Sequence, residues 1–446
     1  MSIIFALILG KKVKKGCVLF ERILKTLQAR KNVFLTGGAG TGKSYTTKCI
    51  IENFYKSGKN VVALGSTGIS AVNIGGITLH SFFRFGRIND INELAKHDKT
   101  QRNELKELYK VLSKLDLIII DEISMVRSST FEMVAYRLRM GGFKGALLVV
   151  GDFYQLEPVV SRDEKGQNSL FSGFYAWQSM AWSEMNFVNF MLTKPKRTSD
   201  LGFFSILERI RVGVCDDEVM GFLASRVEQN PPANALRLFG TNAKVDALNE
   251  ERLNMLKTPL FHVEAAIKAS QGVSETELKS WLAGINIAKV LELKVGAEVI
   301  ICANKRGSYY NGERAEVLEL KEDGIIVRKH NDELCSIEPV CLELNAYADE
   351  GGNVAKQVLA SFVQYPLRLA YAITIHKSQG MSLDDYICDV NDIFASGQLY
   401  VALSRAKSAK GLFLEQSSTL NRLRSKIRPN DAVAQFYAGQ EFIKEM

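Results

Sequence analysis

The sequence predicts an α/β protein with two parallel-sheet domains and a small antiparallel β unit inserted in the second. Three observations predict it. In the first half, short apolar runs alternate with longer helical stretches, the pattern of a parallel sheet covered on both faces. A similar set returns after residue 235. Between them, residues 290–345 shorten into strands broken by Asn311-Gly312 and Asp323-Gly324, which is hairpin-turn chemistry.

Taken in order, Val33–Thr36, Val61–Leu64, Leu117–Ile120 and Leu147–Val150 read as buried strands of the first domain. Tyr45–Tyr55, Arg102–Leu115 and Phe131–Arg139 read as its helices. In the second set, Leu236–Phe239, Leu367–Ala370, Tyr386–Val390 and Leu412–Leu414 are strand-like, with helices over Ala243–Leu256 and Ala395–Arg405. Ala297–Cys302, Ala315–Leu320 and Ile325–Arg328 are the strands of the β unit.

Composition narrows the class. A chain of 446 residues, 46% hydrophobic and 24% charged, buries large cores and is not disordered. The net charge of +8 is compatible with a polyanionic partner. Seven cysteines without a C-x-x-C pair argue against a disulfide scaffold or a ribbon-type zinc site, and fit a reducing compartment. The apolar run Ile3–Leu9 precedes its lysines, the reverse of a signal peptide, and is too short to span a bilayer. A frayed or helical leader and a cytoplasmic location without membrane partners are expected.

The phosphate-binding signal is Gly37-Gly38-Ala39-Gly40-Thr41-Gly42-Lys43-Ser44, directly after a strand and before a helix. Its glycines let backbone amides close around phosphates, Lys43 is placed for the β/γ-phosphates, and Ser44 for Mg²⁺. Leu117–Ile120 ends in Asp121-Glu122, where Asp121 is expected to hold Mg²⁺ through water and Glu122 to polarise the attacking water. Leu147–Val150 runs into Gly151-Asp152-Phe153-Tyr154-Gln155-Leu156, placing Gln155 to sense the γ-phosphate or position water. Arg197 and Arg405 are candidate cations for the transition state.

Together with Ser66–Ala71, Thr78–Phe83, Gly240–Ala243, Ile373–Gly380 and Leu399–Ala406, these segments form an ordered series over residues 33–415. That series resembles helicases of superfamily one, and more narrowly the PIF-type helicases of the RecD/Dda branch. The resemblance implies two RecA-like domains with ATP and Mg²⁺ in the cleft between them. It assigns Arg197 and Arg405 to the γ-phosphate and brings Gln379 and Gly380 near the nucleotide. It places Thr67, His80, Asn242, His376 and Lys377 at single-stranded DNA, with Phe82 and Phe83 as aromatic candidates, one of them expected in the core.

The sequence departs from that pattern in four places. No glutamine lies in residues 16–20, where the family reads adenine. Glu157 stands where proline is usual, Thr198 where glutamine is usual, and Ser70 where alanine is common. The expected layout is a first RecA-like domain over 16–190 with a wedge insertion at 84–112. The second domain is split over 191–256 and 355–446, around an SH3-like β insertion at 257–354. The expected function is an ATP-dependent DNA helicase, monomeric, that moves on single-stranded and forked DNA with 5′-to-3′ polarity implied by the resemblance. Single-strand-binding or recombination proteins are candidate partners. Two alternatives are a RecD-like motor subunit and a translocase that does not unwind.

Overall fold

The computed structural model describes residues 18–158 and 174–445, apart from 87, 100–101, 228, 233, 272, 306, 322–323, 352, 416, 418 and 429. The apolar run Ile3–Leu9, residues 16 and 17 of the segment searched for an adenine-reading glutamine, and Asp323 of one hairpin signal lie outside the described residues.

The first stretch contains α1 (Val18–Gln28), β1 (Val33–Gly37), α2 (Lys43–Lys56), β2 (Val61–Gly65), α3 (Gly68–Asn73), β3 (Ile77–Thr78), α4 (Leu79–Phe82), α5 (Ile91–Asp98), α6 (Arg102–Lys114), β4 (Leu117–Asp121), α7 (Ser128–Met140), β5 (Ala146–Val150), α8 (Met180–Glu184) and β6 (Val188–Leu192). The second stretch opens with α9 (Leu201–Arg211), α10 (Asp217–Val227), β7 (Leu236–Phe239) and α11 (Asn242–Met255). The insertion runs through β8 (Phe261–Glu264), β9 (Ala266–Ala269), α12 (Glu275–Gly284), β10 (Val290–Leu293), β11 (Glu298–Ile301), β12 (Arg314–Lys321), β13 (Gly324–Lys329), β14 (Leu334–Ile337), β15 (Val340–Glu350), β16 (Asn353–Gln364) and β17 (Leu367–Leu369). The chain closes with β18 (Ala372–Thr374), β19 (Tyr386–Cys388), α13 (Gln398–Leu403), β20 (Leu412–Leu414), α14 (Leu420–Lys426), α15 (Asp431–Ala438) and β21 (Ile443–Lys444).

The first sheet has the order β21-β6-β1-β5-β4-β2-β3 and is parallel throughout. Its central strands β1, β2, β4 and β5 are buried along their whole length, which explains their unbroken apolar runs. The second sheet, β18-β7-β19-β20, is also parallel. The insertion forms an antiparallel sheet, β14-β13-β12-β11-β17, and a long β15/β16 hairpin extended by β9.

Four expectations need correction. Leu367–Ala370 does not join the second parallel sheet. Leu367–Leu369 pairs antiparallel with β11 and its side chains enter the insertion's core, while Ala372–Thr374 takes the place in the parallel sheet. The insertion therefore runs past residue 354 to Leu369, since β16 and β17 belong to it. Residues 431–445 belong to the first domain, not the second: Val433, Phe436 and Tyr437 pack into its core and β21 pairs with β6. Finally, 84–112 is not an insertion set apart from the first domain. Phe85, Leu94, Leu105, Leu108, Val111 and Leu112 lie in the main core of the first domain, and α6 is the crossover helix into β4. The fully buried Arg137 pins this segment from α7, donating to the Phe83 carbonyl (3.1 Å) and to the Asp98 carboxylate (2.7 Å).

The β15/β16 hairpin leans back on the first domain. Tyr347 meets Phe82 edge-on at 5.8 Å, Lys114 pairs with Asp349 at 2.5 Å, and the Val354 amide donates to Asn60 (3.2 Å). Replacing Leu112, which is fully buried, by alanine is expected to cost about 2–5 kcal/mol of stability. Urea unfolding measures this, and a loss below 1 kcal/mol would place α6 outside the core.

Candidate active site

The site forms where β1, β4 and β5 end side by side. β1 delivers the phosphate loop. Its Gly40 (φ +75°) and Gly42 (φ +99°) adopt left-handed backbone that only glycine enters freely, which turns the chain into α2. Lys43 Nζ donates to the carbonyls of Gly37 (2.7 Å) and Gly38 (3.0 Å). Burial lowers its pKa, against the opposing pull of Asp152 and Glu122.

β4 ends in Asp121, and the next residue, Glu122, is itself left-handed (φ 53°) and accommodates the turn away from the strand. Burial, then the charge of Glu122, pushes the Asp121 carboxyl up to about 7. Burial raises Glu122 as well, opposed first by Lys43 and then by Arg405. Glu122 Oε2 is buried with no hydrogen-bond partner. β5 runs into Asp152, fully buried, which accepts from Gln155 Nε2 (3.3 Å).

The second domain closes over this cradle. The Lys196 and Arg197 amides donate to the Gly40 carbonyl (2.8 and 3.1 Å), and Arg197 Nη1 donates to the Ser404 carbonyl (2.8 Å). Burial and the neighbouring Arg405 disfavour the charge on Arg197. Arg405 is buried, held through Nε to the Val401 carbonyl and through Nη2 to Ser404 Oγ, both at 2.8 Å. The structure thus brings Lys43, Asp121, Glu122, Gln155, Arg197 and Arg405 to one cleft. Gln379 Nε2 is buried without a partner, and Gly380 is left-handed (φ +80°).

Sequence reasoning left four contributors unassigned. Arg211 donates to both oxygens of Asp152. Glu208 Oε1 is buried without a partner and lies against Gly38, where an added Cβ would sit 2.0 Å from it. The Tyr400 hydroxyl accepts from the Ala39 amide at 2.6 Å. Asp152 itself was visible only as part of a motif. A signal for Arg211 existed: Phe203, Leu207 and Ile210 set a helical apolar face, and a charged residue four past Leu207 falls on it.

Of the DNA candidates, Thr67 caps α3 and Ser70 answers it in a reciprocal box, so the unusual serine has a local use. His80 and Asn242 are exposed, at α4 and at the first turn of α11. His376 and Lys377 are half-buried after β18, and burial lowers both of their pKa values. Phe82 requires correction as a stacking platform: both Phe82 and Phe83 are core residues, packed edge-on at 4.9 Å.

The Tyr400 contact generates a prediction. It occupies an amide of the phosphate loop with a hydrogen bond of about 0.5–1.5 kcal/mol. Tyr400→Phe should therefore tighten ATP binding roughly two- to tenfold. Equilibrium titration with a fluorescent nucleotide reads this, and unchanged or weaker binding would show that the Ala39 amide is not a phosphate site.

Known proteins resemble this chain in sequence and fold. The model of the family described as PIF1-like helicase matches residues 16–220. The ATP-dependent DNA helicase Pif1 of Campylobacter jejuni is 39% identical over 441 residues, covering 95% of this chain and 98% of its own. The crystal structure of Bacteroides sp. Pif1 in complex with ADP-AlF4 superposes with a TM-score of 0.80 at 30% identity, covering 94% of this chain and 96% of that one. Bacteroides Pif1 bound to single-stranded DNA superposes at 0.63, with 30% identity and coverages of 96% and 97%. By sequence over nearly its full length and by fold, the chain belongs to the PIF1-like helicase family.

Proposed function

We propose that the Lys43–Asp121–Glu122 cleft hydrolyses ATP and that this drives the chain along single-stranded DNA and through duplex DNA at a fork. An ATP-dependent DNA helicase is the function that its family relatives carry. The observation that carries the site reading is a strand-end cluster of buried carboxylates facing a phosphate loop, with two arginines of the second domain closing on it.

In this reading Lys43 leaves the Gly37 and Gly38 carbonyls for the β/γ-phosphates. Glu122, with an oxygen free of hydrogen bonds, takes a proton from the attacking water. Gln155 orients that water. Arg197 and Arg405 offset the charge that develops on the phosphoryl group as the cleft tightens. The donors also fit a divalent cation: the Ser44 hydroxyl and the Asp121 carboxylate are hard oxygens, and two crowded carboxylates are pushed upward in spite of Lys43. Bound there, Mg²⁺ supplies charge neutralisation to the phosphates.

For DNA, Thr67, His80, Asn242, His376 and Lys377 are the proposed contacts. The two Bacteroides Pif1 comparisons have equal identity and near-equal coverage but TM-scores of 0.80 and 0.63, a difference that this reading takes as one of domain arrangement. The chain superposes less well on the DNA-bound structure than on the ADP-AlF4 complex, and its own contacts are consistent with that reading. Gly284 of the insertion's α12 packs on Gly68, beside Thr67, so closely that a Cβ on Gly284 would stand 2.8 Å from the Gly68 Cα. Ser81 Oγ, beside His80, donates to Glu277 of the same helix (3.1 Å). This reading has α12 withdraw when DNA seats, and 5′-to-3′ travel is proposed on family resemblance.

Two experiments test the reading. Lys43→Ala should nearly abolish DNA-stimulated ATP hydrolysis in a folded protein, and Glu122→Gln should retain ATP binding with at least a hundredfold lower kcat. Normal turnover in either variant removes that residue from the chemistry. Gly284→Ala should loosen α12 and strengthen single-strand binding severalfold in an anisotropy titration. Weaker binding would mean that α12 holds DNA rather than covering its site.

A further inference from the structure

Arg211 lies outside every motif that the nucleotide chemistry uses, yet it makes the most fully enclosed ionic contact of the cleft. It comes from α9, in the second domain, and reaches Asp152 at the end of β5, in the first. Nε donates to Oδ2 and Nη2 to Oδ1, both at 2.8 Å. Asp152 is fully buried and Arg211 nearly so. The guanidinium lies 4.8 Å from the ring centre of Tyr154 and 5.7 Å from that of Tyr437. Those two rings stack at 4.9 Å and 16°.

Asp152 distributes this constraint. Its backbone carbonyl accepts the Gln155 amide (2.9 Å), and its Oδ2 accepts Gln155 Nε2 (3.3 Å). A carboxylate paired with arginine only accepts, so the Gln155 side chain must turn its nitrogen toward Asp152 and its carbonyl oxygen away. The Tyr437 hydroxyl joins the same network: it bonds Thr36 of β1 at 2.8 Å and donates to Asp152 Oδ1 at 3.4 Å. Glu157, the residue standing in for the family's proline, accepts from Tyr175 (2.7 Å) and from Asn430 (3.1 Å), tying the same loop to the segment that carries Tyr437.

We infer that Arg211 is a positioning residue for ATP hydrolysis: from the second domain it fixes Asp152, and through Asp152 it sets the amide of Gln155 with its oxygen toward the attacking water. A two-pronged guanidinium–carboxylate pair has one geometry. The Gln155 orientation is therefore set only while the two domains are docked, which makes hydrolysis depend on domain closure. The inference rests on the reading of Gln155 as the water-orienting residue.

The test is a double-mutant cycle on DNA-stimulated ATPase, with kcat and KM read separately. Arg211→Met should lower kcat at least tenfold with KM for ATP within about threefold. In a Gln155→Ala background the same change should cost less than about threefold more, because its target is gone. Arg211→Lys keeps the charge but not the fork; it should fold with a near-normal melting temperature and still lose kcat, and it carries the test if Arg211→Met fails to fold. Full kcat in Arg211→Lys, or losses that simply multiply in the double variant, would overturn the inference. A normal kcat in Gln155→Ala alone would remove the reading on which it rests.

Discussion

Everything in the cleft answers to one electrostatic constraint: three carboxylates at the ends of two adjacent strands, with Asp121 and Asp152 buried and Glu122 half-buried with one oxygen enclosed. Parallel pairing of β4 with β5 dictates their proximity, and the apolar sheet beneath denies them water. Burying an unpaired charge is costly, so each must find a cation or take a proton. Asp152 has Arg211 and is held well below its fellows, its pKa lowered by the guanidinium despite full burial. Lys43 acts on Asp121 and Glu122, helped by Lys48 at the first and Arg405 at the second, and burial still pushes both upward. The protein keeps one carboxylate satisfied for architecture and leaves two wanting a cation for chemistry.

The chemical half of this site was legible because its residues sit at strand ends, where a run of apolar residues stops abruptly at a charged one. Leu117–Ile120 followed by Asp121-Glu122 is such a boundary, and so is the glycine loop after Val33–Thr36. The architectural half was hidden because its signal is spatial. Tyr437 meets Thr36 across 401 residues of sequence, and no local pattern encodes that encounter. Strand identity was readable from apolar runs, but partnership was not: Leu367–Leu369 and Ala372–Thr374 follow each other closely in the chain, and only pairing assigns one to the antiparallel sheet and the other to the parallel one. The aromatic pair Phe82-Phe83 shows the same limit, since a ring that stacks on a base and one that fills a core are the same residue in sequence.

Departures from a family pattern became informative once geometry was available. Glu157 and Ser70 each replace a residue without hydrogen-bonding side chains and each acquires a defined partner, Tyr175 with Asn430 in one case and Thr67 in the other. A substitution in a motif need not weaken it; here the new polar group is absorbed into local hydrogen bonding next to the site.

The return of the chain to β21 has a consequence for biosynthesis. The second domain and its insertion lie entirely between β6 and α15, so the first domain holds both flanks of a long excursion. Until residues 431–445 emerge from the ribosome, β6 is an open sheet edge and the apolar slot filled by Val433, Phe436 and Tyr437 is bare. An open edge of this kind invites pairing with other chains. Completion of the first domain thus awaits residues made after the whole second domain, and the segment that finishes its sheet through β21 also braces the phosphate-loop strand through Tyr437. A chain stalled before residue 431 would carry the catalytic motifs without the element that seats them.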